Sequence, residues 1–410
     1  MPRDDAELTG AARTTRRDAV KNRQRMTSGP RLRVCHLTSA HSALDPRIFH
    51  KECRTLARAG YDVVLVGRHD GPADLDGVRL RPIPATQRGL KGRLVCMLRV
   101  YRAALRERAD VYHLHDPELI PVGLLLKLRT GARIVYDMHE YFSEVIPARS
   151  GRTVGRRLRR AFWHMLLERV PIRFFDLTVF PTVSLAGEFG RLPRSVVLQN
   201  LPLVDAGECG EQRRDADHKE YDVVFVGAIS EPRLRFTLSV AERLAARRPG
   251  FRWLFVGLRE SMKRWIVDNY DGSFVRRHLV LVERVPHETV LSYLARSRVG
   301  FNYHPLEKRF LVAIPMKVFE YMLFSVPAVT TALPELKRLL KDGEEAVLVE
   351  SDDPADYADA VSRLLSDAAA ARSIGAAGEA LIRTRLNWEH SEAGKMLDAY
   401  EQLRPKNRHA

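Results

Sequence analysis

The sequence predicts an α/β protein with two Rossmann-like domains that face each other across a cleft. Three observations favour this class. A strand, a helix and a second strand follow one another between Leu32 and Val66, and this is the pattern of a βαβ unit in a parallel sheet. A second series of strands and helices begins at Tyr221. Between the two series, residues 205 to 220 are polar and charged, as expected of a linker.

Composition limits the class of protein. The 410 residues are 45% hydrophobic and 29% charged, which suits two or three domains with apolar cores. We find no run of 18 apolar residues and no apolar leader, so we expect neither a transmembrane helix nor a signal peptide. Four scattered cysteines favour a reduced, cytoplasmic protein. The net charge of +16 implies an anionic partner: nucleic acid, anionic lipid or a phosphorylated substrate.

The first half begins with a tail, residues 1 to 30, whose polar composition predicts disorder. We then predict a strand over residues 32 to 38, a helix that ends at Gly60, and a strand from Tyr61. An edge strand over residues 78 to 84 and a strongly basic helix over residues 90 to 108 follow. No GxGxxG motif follows the first strand, which argues against a dinucleotide dehydrogenase, and the lack of GxxxxGK[ST] excludes a P-loop.

Polar side chains follow the next two predicted strands. In open α/β sheets, ligands bind beyond the carboxyl ends of the strands. A metal site is one interpretation, but the residues lack a recognisable ligand spacing, and we predict none. Helix capping and loop hydrogen bonds are the alternative. The residues are His113, His115, Asp116, Asp137, His139 and Glu140.

An arginine-rich amphipathic helix is predicted over residues 154 to 170. Basic residues beside an aromatic side chain suit a membrane interface, and a solvated helix is the alternative. One face carries Arg156, Arg157, Arg159, Arg160, Trp163 and Leu167. The linker contains Asp215 and Asp217, a formal DxD pair. Because the pair does not end a buried strand, we do not assign it a metal.

The second half repeats the alternation of strands and helices. Strands are predicted at residues 221 to 227, 251 to 257, 279 to 282, 299 to 303 and 346 to 349, and helices at residues 234 to 247 and 287 to 296. The most informative stretch is residues 314 to 335. Pro315 is a favourable helix start, residues 316 to 325 predict a helix, and a short buried strand follows from Pro327.

The predicted helix at residues 316 to 325 carries a cation where its dipole disfavours one. Lys317 lies in the first turn, a placement that makes sense if an anion binds there. Glu320, one turn further, suits the adjacent hydroxyls of a ribose, and a solvated Lys317–Glu320 pair is the alternative. The apolar face is Val318, Phe319, Met322, Leu323 and Val326, and the opposite face is Lys317, Glu320, Tyr321 and Phe324.

The pattern Pro-x-Lys-x-Phe-Glu-Tyr-Met, with the Pro-Ala-Val strand and Leu-Pro-Glu after it, resembles the nucleotide-sugar site of family 4 (GT-B) glycosyltransferases. The resemblance implies that Lys317 holds the donor diphosphate and Glu320 the ribose. Many members carry a further glutamate eight residues earlier, which contacts the sugar, and this chain has Val312 at that position, so the resemblance does not identify the sugar. The run Gly227-Ala-Ile-Ser-Glu-Pro-Arg233 resembles the glycine loop and arginine that meet the diphosphate.

The N-terminal half is less diagnostic. The run from Asp45 through Arg47 to Glu52 resembles one branch of the same family, and Arg47 and His115 are possible contacts to the acceptor or the sugar. The resemblance singles out His139 and Asp116 as catalytic residues that face sugar and acceptor, and we group Glu140 with them. Residues 388 to 400 resemble a terminal helix that crosses back onto the first domain.

These patterns predict five segments: a tail (residues 1–30), a Rossmann-like acceptor domain (31–204), a linker (205–220), a Rossmann-like nucleotide-sugar-binding domain (221–385) and a returning helix (386–403). We expect a retaining glycosyltransferase in glycan, polysaccharide or glycolipid synthesis. It would use a nucleoside-diphosphate sugar and need no cofactor or metal, because Lys317 and Arg233 neutralise the leaving group.

Three other functions stay open at the level of sequence. An epimerase of the same fold would need no acceptor, and a degenerate nucleotide-sugar-binding protein would show no turnover. A nucleic-acid binder has only the charge in its favour. For the enzyme, we expect a cytoplasmic protein that docks on the inner membrane face, with a lipid-linked or membrane-embedded acceptor.

Overall fold

The computed structural model describes residues 31–84, 89–139, 155, 169–204 and 219–404. The chain divides into two compact units. The first comprises Met1–Phe180, Arg191–Val196 and Lys395–Ala410, and the second comprises Pro181–Gly190 and Val197–Gly394. Each unit is built on a sheet of largely parallel strands flanked by helices, so the predicted α/β class with two parallel-sheet domains is confirmed.

Within the described residues, the first sheet has eight strands in the order β3-β4-β2-β1-β5-β6-β7-β8. The strands are β1 (Arg33–Ser42), β2 (Asp62–Arg68), β3 (Asp74–Leu75), β4 (Val78–Pro82), β5 (Val111–Leu114), β6 (Arg133–Asp137), β7 (Leu177–Phe180) and β8 (Ser195–Val197). The strand predicted at the edge, β4, is one position further in. The two-residue β3 pairs antiparallel with it and lies at the edge of the described sheet.

The first helix, α1, is π-helical over Pro46–Cys53 and continues as an α-helix over Arg54–Arg58. Asp45 caps it: one carboxylate oxygen accepts from the backbone N–H of Arg47 (2.9 Å) and of Ile48 (3.2 Å). The wider π-helical turn brings residues five apart onto one face. Arg47 and Glu52 therefore both point inward, with Nε and Oε1 3.1 Å apart.

The other helices in this part of the chain flank the first sheet or connect its strands. They are α2 (Leu90–Glu107), α3 (Ile120–Thr130, after a 3₁₀ turn at Pro117–Leu119) and α4 (Val183–Phe189), with a further 3₁₀ turn at Pro171–Phe174. Helix α4 belongs to the second unit. There its cap, Thr182, donates a hydrogen bond to the carbonyl of Val312 (2.9 Å).

The second sheet has six strands, all parallel, in the order β11-β10-β9-β12-β13-β14. The strands are β9 (Tyr221–Val226), β10 (Trp253–Val256), β11 (Leu279–Val282), β12 (Ser297–Asn302), β13 (Ala328–Thr331) and β14 (Val347–Val349). Alternate residues of β9 enter two different apolar clusters: Val224 and Val226 pack in one, Val223 and Phe225 in the other. Both faces of the sheet are therefore buried under helices, as expected of a parallel sheet.

The helices after β9 complete the second unit. They are α5 (Glu231–Arg247), α6 (Glu260–Asn269), α7 (Gly272–His278), α8 (His287–Ala295), α9 (Lys308–Leu311), α10 (Met316–Leu323), α11 (Pro334–Leu339), α12 (Pro354–Ser366) and α13 (Ala368–Thr384). A π-helical turn, Trp388–Glu392, leads into the last helix, α14 (Ala393–Glu401). Residues from Lys395 onward belong to the first unit, where the buried Tyr400 lies with its hydroxyl 2.7 Å from His113 Nδ1.

Helix α10 is more deeply buried than its amphipathic pattern predicts. Its predicted apolar face is buried, but Tyr321 (0% exposed) and Phe324 (6%), assigned to the opposite face, are buried as well. The Tyr321 hydroxyl accepts from the N–H of Val226 and donates to the carbonyl of Phe301, each at 3.1 Å. A β-carbon on Gly300 would lie 2.3 Å from the Tyr321 ring, so only glycine fits beneath it.

Several predictions fall wholly or largely outside the described residues: the tail, residues 205–218 of the linker with Asp215 and Asp217, most of the helix predicted over residues 154 to 170, and Glu140. Among the described helices, none has both the length and the apolar character needed to cross a lipid bilayer.

Candidate active site

In the second unit, a glycine and a lysine lie side by side where β9 ends. Gly227 has a φ of 94°, a left-handed conformation that side chains disfavour, and its N–H donates to the carbonyl of Val256 at 2.8 Å. A β-carbon at Gly227 would be 3.6 Å from Lys317 Nζ. The ammonium also lies 3.9 Å from the centre of the Phe225 ring, a cation–π distance. Lys317 is thus held directly beside the half-buried backbone of Gly227.

A second cation stands near Lys317. Arg233, in the first turn of α5, donates from Nε to the carbonyl of Tyr303 at 2.8 Å. Burial lowers the pKa of Arg233 to about 10. Burial, and then the charge of Arg233, lower the pKa of Lys317 to about 7 although Glu320 opposes the shift. Burial and both cations also lower the pKa of His304 to about 2, so this histidine is neutral.

In the described part of the chain, no carboxylate is paired with either cation, Arg233 or Lys317, and the NH2 group of Arg233 is buried without a hydrogen-bond partner. Each cation lies in the first turn of a helix, where the dipole is positive. Two unpaired cations at helix N-termini beside a left-handed glycine are the elements of an anion site.

The predicted ribose contact, Glu320, is half-buried on α10, one turn after Lys317. Because Tyr321 ties α10 to the ends of β9 and β12, the positions of Lys317 and Glu320 are fixed relative to Gly227. The sequence pattern did not assign this role to Tyr321. The signal available was Gly300, whose missing side chain leaves the space that the tyrosine ring fills.

In the first unit, the predicted residues meet at the carboxyl ends of β5 and β6. Asp137 is at the centre. Arg47 donates to both of its oxygens, at 2.8 Å from Nε and 2.7 Å from NH2, and His139 Nε2 lies 2.8 Å from Oδ2. His115 Nδ1 lies 3.4 Å from the same oxygen and 3.2 Å from His139 Nε2. Although burial raises it, the pKa of Asp137 is held well below its ordinary value, first by Arg47 and then by His139.

These side chains differ in exposure. Arg47 is 5% exposed and His115 is fully buried, while His139 is 12% exposed. The proposed sugar or acceptor contacts of Arg47 and His115 stay predictions, and their visible role is to hold Asp137 and His139. His139 is the least buried of these side chains and has the buried Asp137 carboxylate behind it, an arrangement that orients an imidazole.

Asp116, also predicted as catalytic, is saturated with hydrogen bonds. It accepts from the Thr38 hydroxyl (2.9 Å) and from the N–H groups of Ser39 (2.6 Å) and Ala40 (3.2 Å), and His41 Nδ1 lies 2.9 Å away. Burial raises its pKa, but His41 and these N–H donors outweigh burial and the pKa is lowered. An ionised carboxylate with so many donors holds the C-terminal part of β1 in place. Sequence reasoning did not single out His41.

Comparison with known proteins agrees with this picture. Residues 220–367 match the family described as glycosyl transferases group 1, and residues 46–199 match the glycosyl transferase 4-like domain. Over 108 residues the chain is 36% identical to a D-inositol 3-phosphate glycosyltransferase from Nocardioides sp. (strain ATCC BAA-499 / JS614). That alignment spans 24% of this chain and 23% of the relative, so the two share about a quarter of their lengths.

Solved structures show the same fold. Sucrose-phosphate synthase from Thermosynechococcus elongatus has a TM-score of 0.67 at 17% identity, with 91% of this chain and 99% of that chain covered. The Anabaena protein HepE, solved with UDP-glucose, has a TM-score of 0.66 at 13% identity, with 90% and 100% covered. The trehalose 6-phosphate synthase of Burkholderia multivorans has a TM-score of 0.65 at 16% identity, with 92% and 99% covered.

Two parallel-sheet units and matches to glycosyltransferase domains over both halves define a glycosyltransferase of the GT-B type. The chain belongs to glycosyltransferase family 4.

Proposed function

We propose that this protein transfers a sugar from a nucleoside-diphosphate sugar to an acceptor hydroxyl, with retention at the anomeric carbon as in its family. The pair of unpaired cations, Lys317 and Arg233, beside Gly227 carries the proposal. A diphosphate supplies the negative charge that this position lacks. The solved complexes of HepE with UDP and UDP-glucose are consistent with such a donor.

The chemistry follows from the charges. Cleavage of the sugar–phosphate bond leaves negative charge on the diphosphate, and Lys317, Arg233 and the N–H groups near Gly227 stabilise it as it develops. Protein cations occupy the place that a metal takes in other transferases, so we propose a metal-independent leaving group. Glu320 accepts from the ribose hydroxyls. In the first unit, His139 positions the acceptor hydroxyl, held by Asp137.

A donor panel tests the function. The protein is incubated with UDP-, GDP- and TDP-sugars, and nucleotide release and donor binding are followed. Lys317→Ala and Arg233→Ala should each weaken donor binding or turnover by roughly 1.5–3 kcal/mol, because each removes a charge-assisted contact. Arg235→Ala is the matched control, since Arg235 lies on the same helix but is exposed and paired with Glu231 at 2.8 Å.

The outcomes separate the alternatives. Unchanged affinity and turnover in both variants would contradict the assignment of the diphosphate site. A converted donor sugar without transfer to any acceptor would indicate an epimerase, and binding without turnover a degenerate binding protein.

For the acceptor, we propose a lipid-linked or membrane-embedded hydroxyl, reached from the cytoplasmic face by reversible docking. Among the described residues, helix α2 supports this proposal. It exposes Leu90 (75%), Leu94 (56%) and Leu98 (46%) at helical spacing. Exposed cations surround them: Lys91, Arg93, Arg99, Arg102 and Arg106. Apolar side chains among cations suit an anionic membrane surface, where each basic residue contributes about 1 kcal/mol.

Sedimentation with vesicles tests the docking. Binding should require anionic lipid, fade in high salt, and weaken when Leu90, Leu94 and Leu98 are replaced by serine. Replacing Arg156, Arg157, Arg159 and Arg160 by glutamine tests whether residues outside the described part contribute. Equal recovery with neutral and anionic vesicles would instead point to a soluble acceptor.

A further inference from the structure

A buried group of metal-ligating side chains lies in the first unit, and the reaction proposed above does not use it. His36 on β1, Glu52 on α1, and His113 and His115 on or just after β5 each offer one ligand atom, and these atoms lie within 4.8 Å of one another. All four side chains are fully buried. The parallel pairing of β1 with β5 places His36 directly beside His113, with ring centres 4.5 Å apart.

Three members of this group have polar atoms that make no hydrogen bond in the described part of the chain: His36 Nε2, His113 Nε2 and both carboxylate oxygens of Glu52. Of these atoms, Glu52 Oε1 has an ion-pair partner, since it lies 3.1 Å from Arg47 Nε. A buried polar atom without a partner is costly, and several close together indicate a group that satisfies them jointly. His113 Nε2 and Glu52 Oε2 lie 3.7 Å apart. In a tetrahedral zinc site with bonds of about 2.0–2.1 Å, neighbouring ligand atoms are about 3.4 Å apart.

In His36 and His113, the other ring nitrogen, Nδ1, already has a neighbour at hydrogen-bond distance. His113 Nδ1 lies 2.7 Å from the Tyr400 hydroxyl, and His36 Nδ1 lies 2.9 Å from His115 Nε2. Such contacts fix the tautomer and orientation of metal-bound histidines and leave Nε2 for the metal.

A bound cation would stabilise the buried carboxylate of Glu52. Arg47 is shared, because its Nε is 3.1 Å from Glu52 and it also donates to both oxygens of Asp137. One arginine thus serves two buried carboxylates.

We propose that His36 Nε2, His113 Nε2 and a carboxylate oxygen of Glu52 bind one divalent transition-metal ion, with Zn²⁺ as the best match to a set of two nitrogens and one oxygen. The metal ties β1, β5 and α1 together, and through Tyr400 it stabilises the seating of α14 in the first unit. The site departs from the prediction of no metal, which was made because the strand-end residues, including His113, lack a recognisable ligand spacing in the sequence. It uses none of the diphosphate-binding residues and does not depend on the proposed reaction.

A neighbouring trio, His115, Asp137 and His139, is the competing position for a metal. Its members already pair with one another and with Arg47 at 2.7–3.4 Å. No atom of this trio is among the buried atoms without a partner in the described chain. The orphaned atoms therefore favour the set at His36, Glu52 and His113.

Metal binding by the full chain tests the proposal, with Zn²⁺ and Co²⁺ alone as probes. After removal of metal with a chelator, the protein should take up one equivalent of Zn²⁺, its melting temperature should rise, and Co²⁺ should give the intense visible absorption of a low-coordinate site. His36→Gln, His113→Gln and Glu52→Gln should each abolish this uptake. Tyr400→Phe keeps the three ligands but removes the partner of His113 Nδ1, and it should weaken affinity about 10–100-fold.

Two matched variants should keep the metal. His278→Gln replaces another buried histidine, in the second unit, whose Nδ1 contacts the carbonyl of Phe251 at 2.9 Å. His139→Gln removes a member of the competing trio. Metal lost in His139→Gln but kept in His36→Gln would overturn the assignment. If the ligand variants do not fold, metal binding by the wild-type chain is the test. Absence of Zn²⁺ and Co²⁺ uptake, with no change in melting temperature, would show that there is no metal site.

Discussion

The lowered pKa of Lys317 predicts a distinctive pH dependence of donor binding. In the free protein this pKa is about 7, so the side chain loses its charge as the pH rises through neutrality. A bound diphosphate favours the ammonium and raises the pKa toward the ordinary value of about 10.4. The donor must therefore bind together with a proton once the pH exceeds the pKa of the free protein.

The size of the effect follows from linkage. Affinity should be highest at or below about pH 7 and fall by about tenfold per pH unit above it. The charged fraction of Lys317 is about one half at pH 7 and about one hundredth at pH 9, so affinity should fall about 50-fold, or about 2.3 kcal/mol, across this range. Arg233, whose pKa is about 10, stays mostly charged over the same range.

Calorimetry with the donor chosen from the panel measures this loss. A nucleotide sugar is the right ligand because its diphosphate does not titrate near neutrality, unlike that of a free nucleoside diphosphate. Measurements in buffers of different ionisation enthalpy should show uptake of about one proton near pH 8. Lys317→Arg is the control, since its charge is constant and its affinity should not change with pH. A flat wild-type profile, or the same slope in Lys317→Arg, would refute the reasoning.

Two further predictions concern the second unit. Glu320→Gln should weaken free UDP or GDP as much as the full donor, because the proposed contact is to ribose; normal binding of the free nucleotide, measured by calorimetry, would show that the role is wrong. Gly300→Ala should lower the free energy of unfolding by about 1–3 kcal/mol, because the new methyl group meets the Tyr321 ring. Chemical denaturation measures the loss against Gly250→Ala, where a β-carbon meets nothing within 4 Å, and equal stability of the two variants would contradict the packing argument.

Much of the fold was predictable because its signals are local. Buried parallel strands show as apolar runs, and Pro315 and Gly60 mark a helix start and a helix end, so strand and helix positions agree within a few residues. The placement of Lys317 against the helix dipole indicated an anion before any contact was visible. Its shared environment with Arg233 and Gly227 depends on the sheet order, since Gly227 and Arg233 follow β9 whereas Lys317 follows β12, which pairs with β9.

What sequence reasoning missed depends on long-range pairing or on unusual local geometry. His36 and His113 are adjacent only because β1 pairs with β5, and 76 residues of chain separate them. Glu52 faces inward with Arg47 because the helix between them is π-helical, which a period of 3.6 residues does not predict. Tyr321 was assigned to the face opposite the apolar one, because the helical wheel does not show the space above Gly300 that its ring fills.

The assignment of Lys395–Ala410 to the first unit bears on how the protein is made. Synthesis runs from the N-terminus, and domains generally fold as they emerge from the ribosome. The first unit cannot complete its core in that order, because Tyr400 and Leu403, each at most 2% exposed, are translated after the whole of the second unit. Until then His113 lacks the hydroxyl that contacts its Nδ1. The half of the protein that is synthesised first is therefore the half that finishes folding last, and it does so only when the last turns of α14 have left the ribosome.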